Sequence, residues 1–257
     1  MIRLEQLAKS YDEGRTFAVH NIDLEIPAEE LLVLVGQSGC GKTTTLKMIN
    51  RLVEPSSGRI IVDGEDVIGK DCVELRRSIG YVFQGIGLFP HLTVGENVGI
   101  VPTLLKWDRS AVSARIDELL RLMSLPPQQF RHRMPAELSG GQQQRVGVAR
   151  ALAGRPKIVL MDEPFGAVDP VTRDTLQTEF KALQKSLQLT VIMVTHDMAE
   201  ALVMADRLAV MHQGHLLQVG TPQRLMASPT HPHVAALLDT PKRQAARLES
   251  LIRATPR

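Results

Sequence analysis

Two kinds of apolar pattern run along this chain. Ile2 to Tyr11 and Ala18 to Ile26 alternate apolar with polar residues, as strands buried on one face do, and the polar bridge Asp12-Glu13-Gly14-Arg15 suits a turn between them. Ile60-Ile61-Val62 before Asp63-Gly64 predicts a further strand and turn. Leu31-Leu32-Val33-Leu34-Val35 is instead a continuous apolar run, and the Thr44-to-Ile49 segment beyond it reads as a helix. Ile79 to Gln84 reads as a short buried strand ending in a polar residue. Strands come first and strand–helix alternation follows, which predicts an α/β fold with an antiparallel β-layer beside a parallel α/β core.

From Thr93 to Ala153 the pattern turns helical. Val112, Ile116, Leu119, Leu120 and Met123 form one apolar stripe, with Asp108 as the expected N-cap and Pro126-Pro127 as the expected stop. Strand signals then resume, so this stretch is read as a helical insertion. Ile158 to Met161 is a buried run ending in Asp162-Glu163, and Thr190 to Thr195 is a second one ending in His196. Open α/β sheets bind ligands beyond the carboxyl ends of their strands, so both ends are expected to face one crevice. Arg207–Met211 and His215–Val219 flank Gln213-Gly214 as a hairpin, and beyond Pro222 the chain is helical and polar. The expected organisation is 1–92 for the β-layer and first part of the core, 93–153 for the helical subdomain, 154–222 for the second part of the core, and 223–257 for a C-terminal helical tail.

Composition narrows the class. The chain has 257 residues, 44% hydrophobic and 23% charged, enough for one large domain or one with an inserted subdomain. A net charge of +2 argues against a bulk polyanion binder, and no nucleic-acid partner is expected. Two cysteines form no disulfide framework and suit a reducing compartment. The first twenty residues carry Glu5, Asp12 and Glu13 and do not read as a signal peptide. No apolar run approaches the ~20 residues that span a bilayer, so any membrane role is expected to be peripheral and through a partner. Lys242, Arg243, Arg247, Arg253 and Arg257 stand against Glu249 near the end of the chain, as a solvated, frayed tail or as a patch facing phospholipid or a partner.

The candidate chemistry begins at Gly36-Gln37-Ser38-Gly39-Cys40-Gly41-Lys42-Thr43, which fits G-x-x-x-x-G-K-[ST] between a strand and a helix. Its glycines let successive backbone N–H groups turn onto phosphate oxygens at a helix N-terminus, and Thr44 opens that helix. Lys42 is expected to reach the β- and γ-phosphates of a nucleotide and Thr43 to ligate Mg²⁺. Leu138-Ser139-Gly140-Gly141-Gln142 puts a hydroxyl and two glycines at a second helix N-terminus, a second phosphate-binding geometry on one chain. A helix cap alone would explain Ser139 and hardly the whole pentapeptide. Asp162-Glu163 supplies one acid for the Mg²⁺ shell and one to polarise water. Gln84 and His196 also end apolar runs, and each taken alone reads more often as a satisfied boundary residue than as a functional one. His231-Pro232-His233 is read as a surface loop, Trp107 as a partner contact or a half-buried anchor, and Cys40 as a small loop filler. Met193, Met198, Met204 and Met211 are read as core.

Taken together these motifs resemble the ATPase subunits of ABC transporters, over nearly the whole chain. The resemblance implies a fold of the P-loop NTPase type, with Walker A at Gly36–Thr43, Walker B ending at Asp162, and the signature sequence at Leu138–Gln142. It implies that Tyr11 stacks on adenine with Val19 packing beneath, and that Gln84 joins Mg²⁺ to the helical subdomain. It makes Glu163 the catalytic base and His196 the switch residue at the γ-phosphate. Gly166-Ala167-Val168-Asp169 occupies the D-loop, retaining Asp169 but departing from the family's usual Ser-Ala-Leu-Asp at Gly166 and Val168. ATP and Mg²⁺ are then the cofactors, and a head-to-tail dimer with ATP between Walker A of one copy and the signature of the other is expected. Such subunits work on the cytoplasmic face of the membrane with a permease and, indirectly, an extracytoplasmic substrate-binding protein. Within the family, Lys47 to Pro55, Ile86 to Val94 and Val101 to Trp107 resemble importers of glycine betaine, choline or carnitine, with an amino-acid or polyamine importer as the alternative. Many such relatives carry C-terminal CBS domains, for which a chain ending at Arg257 leaves no room. Non-transport ABC proteins usually carry two cassettes or long coiled-coil insertions, and a P-loop kinase would have no use for the Ser139 pentapeptide.

Overall fold

The structure, a computed structural model, describes residues 1–85, 87–166 and 168–254. The alternating N-terminal segments form β1 (Ile2–Lys9) and β2 (Val19–Ile26), which pair antiparallel. With β4 (Ser57–Val62) and β5 (Glu65–Asp66) they make a four-stranded sheet in the order β2-β1-β4-β5. The continuous apolar runs form the second sheet: β3 (Leu31–Val35), β6 (Ile79–Val82), β7 (Ile158–Asp162) and β8 (Thr190–Thr195), joined by the hairpin β9 (Arg207–His212) and β10 (His215–Gly220). Its order is β10-β9-β3-β8-β7-β6, parallel except for β10.

β3 shows why these runs are apolar at every position. Leu32 and Leu34 face the layer shared with the antiparallel sheet, among Ile2, Leu4 and Ile22, while Leu31, Val33 and Val35 face the opposite layer. Successive side chains of a strand point to opposite faces, so a strand covered on both has no position left for a polar residue.

The helices take their places around this pair of sheets. α1 (Lys42–Ile49) follows β3, and α2 (Cys72–Ser78) precedes β6. Between β6 and β7 lie α3 (Val94–Leu104), α4 (Arg109–Leu122), α5 (Pro127–Phe130) and α6 (Gly140–Leu152). α7 (Pro170–Ser186) joins β7 to β8, α8 (Met198–Met204) joins β8 to β9, and α9 (Pro222–Ala227) and α10 (Pro232–Ala254) close the chain.

Several local expectations are corrected. Asp108 stands at the N-cap of α4 but makes no side-chain capping bond. α4 stops at Leu122, ahead of the prolines; the chain turns through a left-handed Ser124 (φ +56°), and Pro127 opens α5 instead. β6 ends at Val82, leaving Gln84 in the following turn. The basic tail is helical through Ala254, with Lys242, Arg243 and Arg247 exposed on α10; Arg257 lies outside the described residues, as do Ile86 and Ala167. Trp107 is half-buried with the Arg155 guanidinium 5.5 Å from its ring centre, and the four core methionines are buried. Among the described residues no helix is long and apolar enough to cross a membrane.

Candidate active site

The loop from Gly36 to Gly41 needs glycine where backbone crowds it. A Cβ on Gly36 would fall 2.2 Å from the Met211 carbonyl oxygen, and one on Gly41, at φ +104°, 2.2 Å from that of Ala18. Val19 is fully buried, with its Cγ2 3.2 Å from that same Cβ position, so it supports the loop from below and has no face open to a ligand. Gln37, Ser38 and Gly39 are exposed, whereas Cys40 is buried with its Sγ 3.8 Å from Lys42 Nζ. Gly41→Ala should therefore destabilise the nucleotide-free protein by about 2–4 kcal/mol, as a left-handed residue forced against backbone. Gly39→Ala, with open space around its Cβ but φ +78°, should lose only about 1–2 kcal/mol. Urea unfolding of the two variants checks the contrast; equal losses would contradict it.

Lys42 is the first helical residue of α1 and only 5% exposed. Its ammonium donates to the carbonyl oxygens of Gly36 (2.7 Å) and Gln37 (2.9 Å), folded over the loop it belongs to. One residue on, the Thr43 hydroxyl donates to Asp162 Oδ1 at 2.9 Å, across a sequence separation of 119 residues. Burial pushes the Asp162 carboxyl above its usual range, outweighing the Thr43 hydrogen bond and the Lys47 and Lys42 charges. A hydroxyl and a carboxylate held together are the hard oxygen donors that Mg²⁺ takes, and a cation there would relieve the penalty of the buried carboxylate. The crowded glycines and this donor pair both fit a Mg-nucleotide.

Glu163 follows Asp162 in a left-handed conformation (φ +46°), fixed by its N–H donating to the Val194 carbonyl at 3.0 Å. That turn brings its carboxylate to residues that follow two other strands. Gln84 Nε2 donates to Glu163 Oε2 at 3.2 Å, and His196 Nδ1 lies 3.0 Å from Oε1. An ionised carboxylate only accepts, so Nδ1 carries the hydrogen in this contact. Three residues that short-range patterning placed on separate strands, and that the family resemblance gave roles at one site, thus meet at one carboxylate, beside the Thr43–Asp162 pair.

Tyr11 is 65% exposed, with Lys9 Nζ 5.1 Å from its ring centre, and borders a turn ordered by Asp12. The Thr16 hydroxyl and N–H and the Ser10 hydroxyl all donate to Asp12, lowering its pKa to about 2. A free aromatic face on an ordered turn is a stacking platform.

The signature pentapeptide leads into the first turn of α6 and, among the described residues, shares no hydrogen bond with the phosphate loop. Ser139, exposed, caps α6 by accepting from the Gln142 N–H (3.3 Å), while Gln142 Oε1 accepts from the Ser139 N–H (3.0 Å). Gly141 lets α6 pack on α7, since a Cβ would meet Thr172 Cγ2 at 2.6 Å, and Leu138 is buried. Local structure therefore explains more of this pentapeptide than its sequence suggested; Gly140, exposed, has no such role. Asp169 caps α7, held below the usual carboxylate range by hydrogen bonds from Thr172.

Two positioning residues escaped the sequence reading. Arg150 Nη1 donates to the Gly87 carbonyl (2.8 Å), and its guanidinium lies over Phe83 and Phe89. Asn97, fully buried, accepts from the Phe89 N–H (2.8 Å) and donates to the carbonyls of Phe89, Leu92 and Thr93. Together they hold the segment that follows Gln84. Their sequence signal was a polar residue inside an apolar helical stretch.

Residues 19–166 match the family model described as ABC transporter. The chain is 55% identical over 234 residues to the glycine betaine/carnitine/choline transport ATP-binding protein OpuCA of Bacillus subtilis, covering 91% of this chain and 61% of that protein. It thus spans about three-fifths of the length of this relative. Among solved structures it is similar to MJ0796, a bacterial ABC transporter cassette solved as a dimer (35% identity, TM-score 0.77, covering 86% of this chain and 99% of that one). That cassette is also known as a dimer in a post-hydrolysis state with ADP and Pi. It is similar as well to cbiO1 of Clostridium perfringens, part of the ABC transporter complex cbiONQ (28% identity, TM-score 0.81, 97% and 98% covered).

Proposed function

This chain belongs to the ABC transporter family, and from that premise we propose that it is the ATP-hydrolysing subunit of an importer of osmoprotectant quaternary amines such as glycine betaine, choline or carnitine. The observation that carries the enzymatic part is the convergence of Gln84 and His196 on Glu163 beside the Thr43–Asp162 pair. The amine class rests on the likeness to a glycine betaine/carnitine/choline transport ATP-binding protein over most of the chain.

Thr43, Asp162 and Gln84 would hold Mg²⁺, which when bound supplies positive charge opposite the β- and γ-phosphates. Tyr11 stacks on the adenine. The loop N–H groups from Gly36 to Thr44 take the phosphate oxygens, and Lys42 exchanges its carbonyl partners for the β- and γ-phosphates. Glu163 accepts a proton from the attacking water as its oxygen bonds to the γ-phosphorus and the bond to the bridging oxygen of ADP breaks. His196, hydrogen-bonded to Glu163 through Nδ1, orients that water and the γ-phosphate.

The second face of the triphosphate falls to Ser139, Gly140, Gly141 and Gln142 of another copy, with Asp169 at the same seam. Lys42 and Thr43 cover one side only, and the exposed Ser139 lies on a different element. The dimeric MJ0796 cassette supports this arrangement. A groove of 490 Å³ lined by Leu52, Tyr81, Phe83, Gln84, Phe89 and Arg150 would receive the permease, with Gln84 in its lining linking permease to nucleotide. This seats the subunit at the cytoplasmic face of the membrane, with a substrate-binding protein on the other side. Residues 93–153 act as the helical subdomain that moves on closure.

The test is reconstitution with the membrane partner in vesicles. Glycine betaine, choline or carnitine should stimulate ATP hydrolysis several-fold in the presence of the binding protein. Stimulation by a sugar or a polyamine, with none by these amines, would overturn the substrate class.

A further inference from the structure

His231-Pro232-His233, which the sequence offered as a surface loop, is the start of α10, with Pro232 its first helical residue. His231 acts as the cap. Its carbonyl accepts from the Ala235 N–H (3.1 Å), and its ring Nδ1 accepts from the His233 N–H (3.0 Å). That second bond is the one a serine or aspartate oxygen makes at other helix starts. An imidazole can make it only through a nitrogen lone pair, and a protonated ring has none. Protonation of His231 therefore removes the cap and puts a positive charge at the positive end of the helix.

The next ring is caught between α10 and β9. His233 is half-buried and stacks on His212, the ring centres 3.8 Å apart and the planes 31° from parallel. Its Nε2 is buried with no hydrogen-bond partner among the described residues. Two positive rings this close repel, and a charge on His233 would be poorly hydrated. Burial first, then the charges of His212 and His231, holds the His233 imidazole below its ordinary range. No acid offsets them. Glu200 of α8 and Arg224 of α9, on the helices packed against α10, make no hydrogen bond or ion pair with any of the three rings. His215, opposite His212 in the hairpin, stacks on His20 instead.

What His233 grips lies under the phosphate loop. His212 closes β9, and its neighbour Met211 sets its carbonyl against Gly36. In the hairpin turn, the Gly214 N–H donates to the Cys40 carbonyl at 3.1 Å. We propose that His231, His233 and His212 form a pH-sensitive latch: with all three rings neutral it caps α10 and pins it to the hairpin that backs the phosphate loop, and on acidification it lets go. The latched state binds fewer protons at these rings than the released one. Its stability is therefore complete above about pH 6.5, the ordinary histidine value, and falls as the pH drops below it. The chain thereby carries a response of nucleotide affinity to acid that is separate from His196.

The test is hydrogen exchange of the nucleotide-free protein at about pH 7.5 and about pH 5.5, corrected for the intrinsic pH dependence of exchange, with ATP affinity measured alongside. In wild type the Ala235 amide should lose protection about three- to tenfold on acidification. His231→Asn keeps a capping acceptor that does not titrate, and His233→Phe keeps a stacked ring that does not. The double variant should cut the loss below about twofold, and His231→Asn alone should reduce it if the double variant does not fold. His20→Phe, in the exposed His20–His215 stack, should behave as wild type. ATP affinity should fall about two- to threefold further in wild type than in the double variant, an arm that rests on the phosphate-loop reading above. Unchanged Ala235 protection in wild type, variants that follow wild type, the same relief from His20→Phe, or identical pH profiles of ATP affinity would each overturn the latch. A wild type that binds no ATP at about pH 7.5 would overturn the phosphate-loop reading instead, and exchange would still judge the latch.

Discussion

Glu163→Gln is expected to lower ATP turnover by about 10²–10⁴-fold while the protein still binds Mg-ATP. The substitution keeps the shape of the side chain and one oxygen that can accept from Gln84 or His196, so the left-handed turn and its Val194 anchor should survive. What it removes is a group able to take a proton from water. Because binding is left intact and the chemical step is not, the ATP-loaded form should accumulate. On the composite-site reading that form is a dimer, so size-exclusion chromatography with saturating Mg-ATP should move the variant to twice the mass. Phosphate release measured on the same sample completes the test. Undiminished release would remove Glu163 from the role of base. A silent but strictly monomeric protein would instead remove the shared pocket, leaving Glu163 untouched.

Lys42→Ala should lower hydrolysis by about 10²–10³-fold and weaken ATP binding as well. Lys42 is nearly buried at the first turn of α1, its ammonium already directed at the loop carbonyls of Gly36 and Gln37. A preorganised cation in such a place meets the charge that develops on the phosphates without first shedding bulk water. Isothermal titration with a non-hydrolysable ATP analogue, alongside a thermal melt, separates lost electrostatics from lost fold. Normal affinity and turnover in this variant would contradict the phosphate-loop assignment. The two variants should also differ in kind, since Glu163→Gln retains nucleotide and Lys42→Ala does not.

Much of this site could be read before any tertiary contact was known, for a reason that differs from motif to motif. The phosphate loop was legible because a tight anion cradle needs glycine at fixed spacings, and Gly36 and Gly41 do lie where a Cβ would strike backbone. β3, β7 and β8 were legible because a parallel strand covered on both faces admits polar residues only at its ends, as at Asp162, Thr190 and Thr195. Val19 was less so: a valine at the start of a strand does not reveal that the loop lies on top of it. The stop of α4 was misread because a left-handed Ser124 does the work that the two prolines seemed to advertise. Arg150 and Asn97 passed unnoticed because each gives a single polar letter in an apolar context, and its partners lie outside its own helix.

The sequence by itself determined the local chemistry: which segments are strands or helices, where a nucleotide's phosphates are gripped, and which acids, glutamine and histidine lie at or just beyond the ends of strands. Each of those follows from short-range rules, namely periodicity, glycine sterics and the acidity of a side chain. Only the tertiary structure decided that Gln84, Glu163 and His196 share one carboxylate and that Thr43 meets Asp162, because sheet order brings together strand ends far apart along the chain. It also decided that much of the Ser139 pentapeptide is built into the seam between α6 and α7, since close approach of two helices is a property of the pair and leaves no mark on either alone.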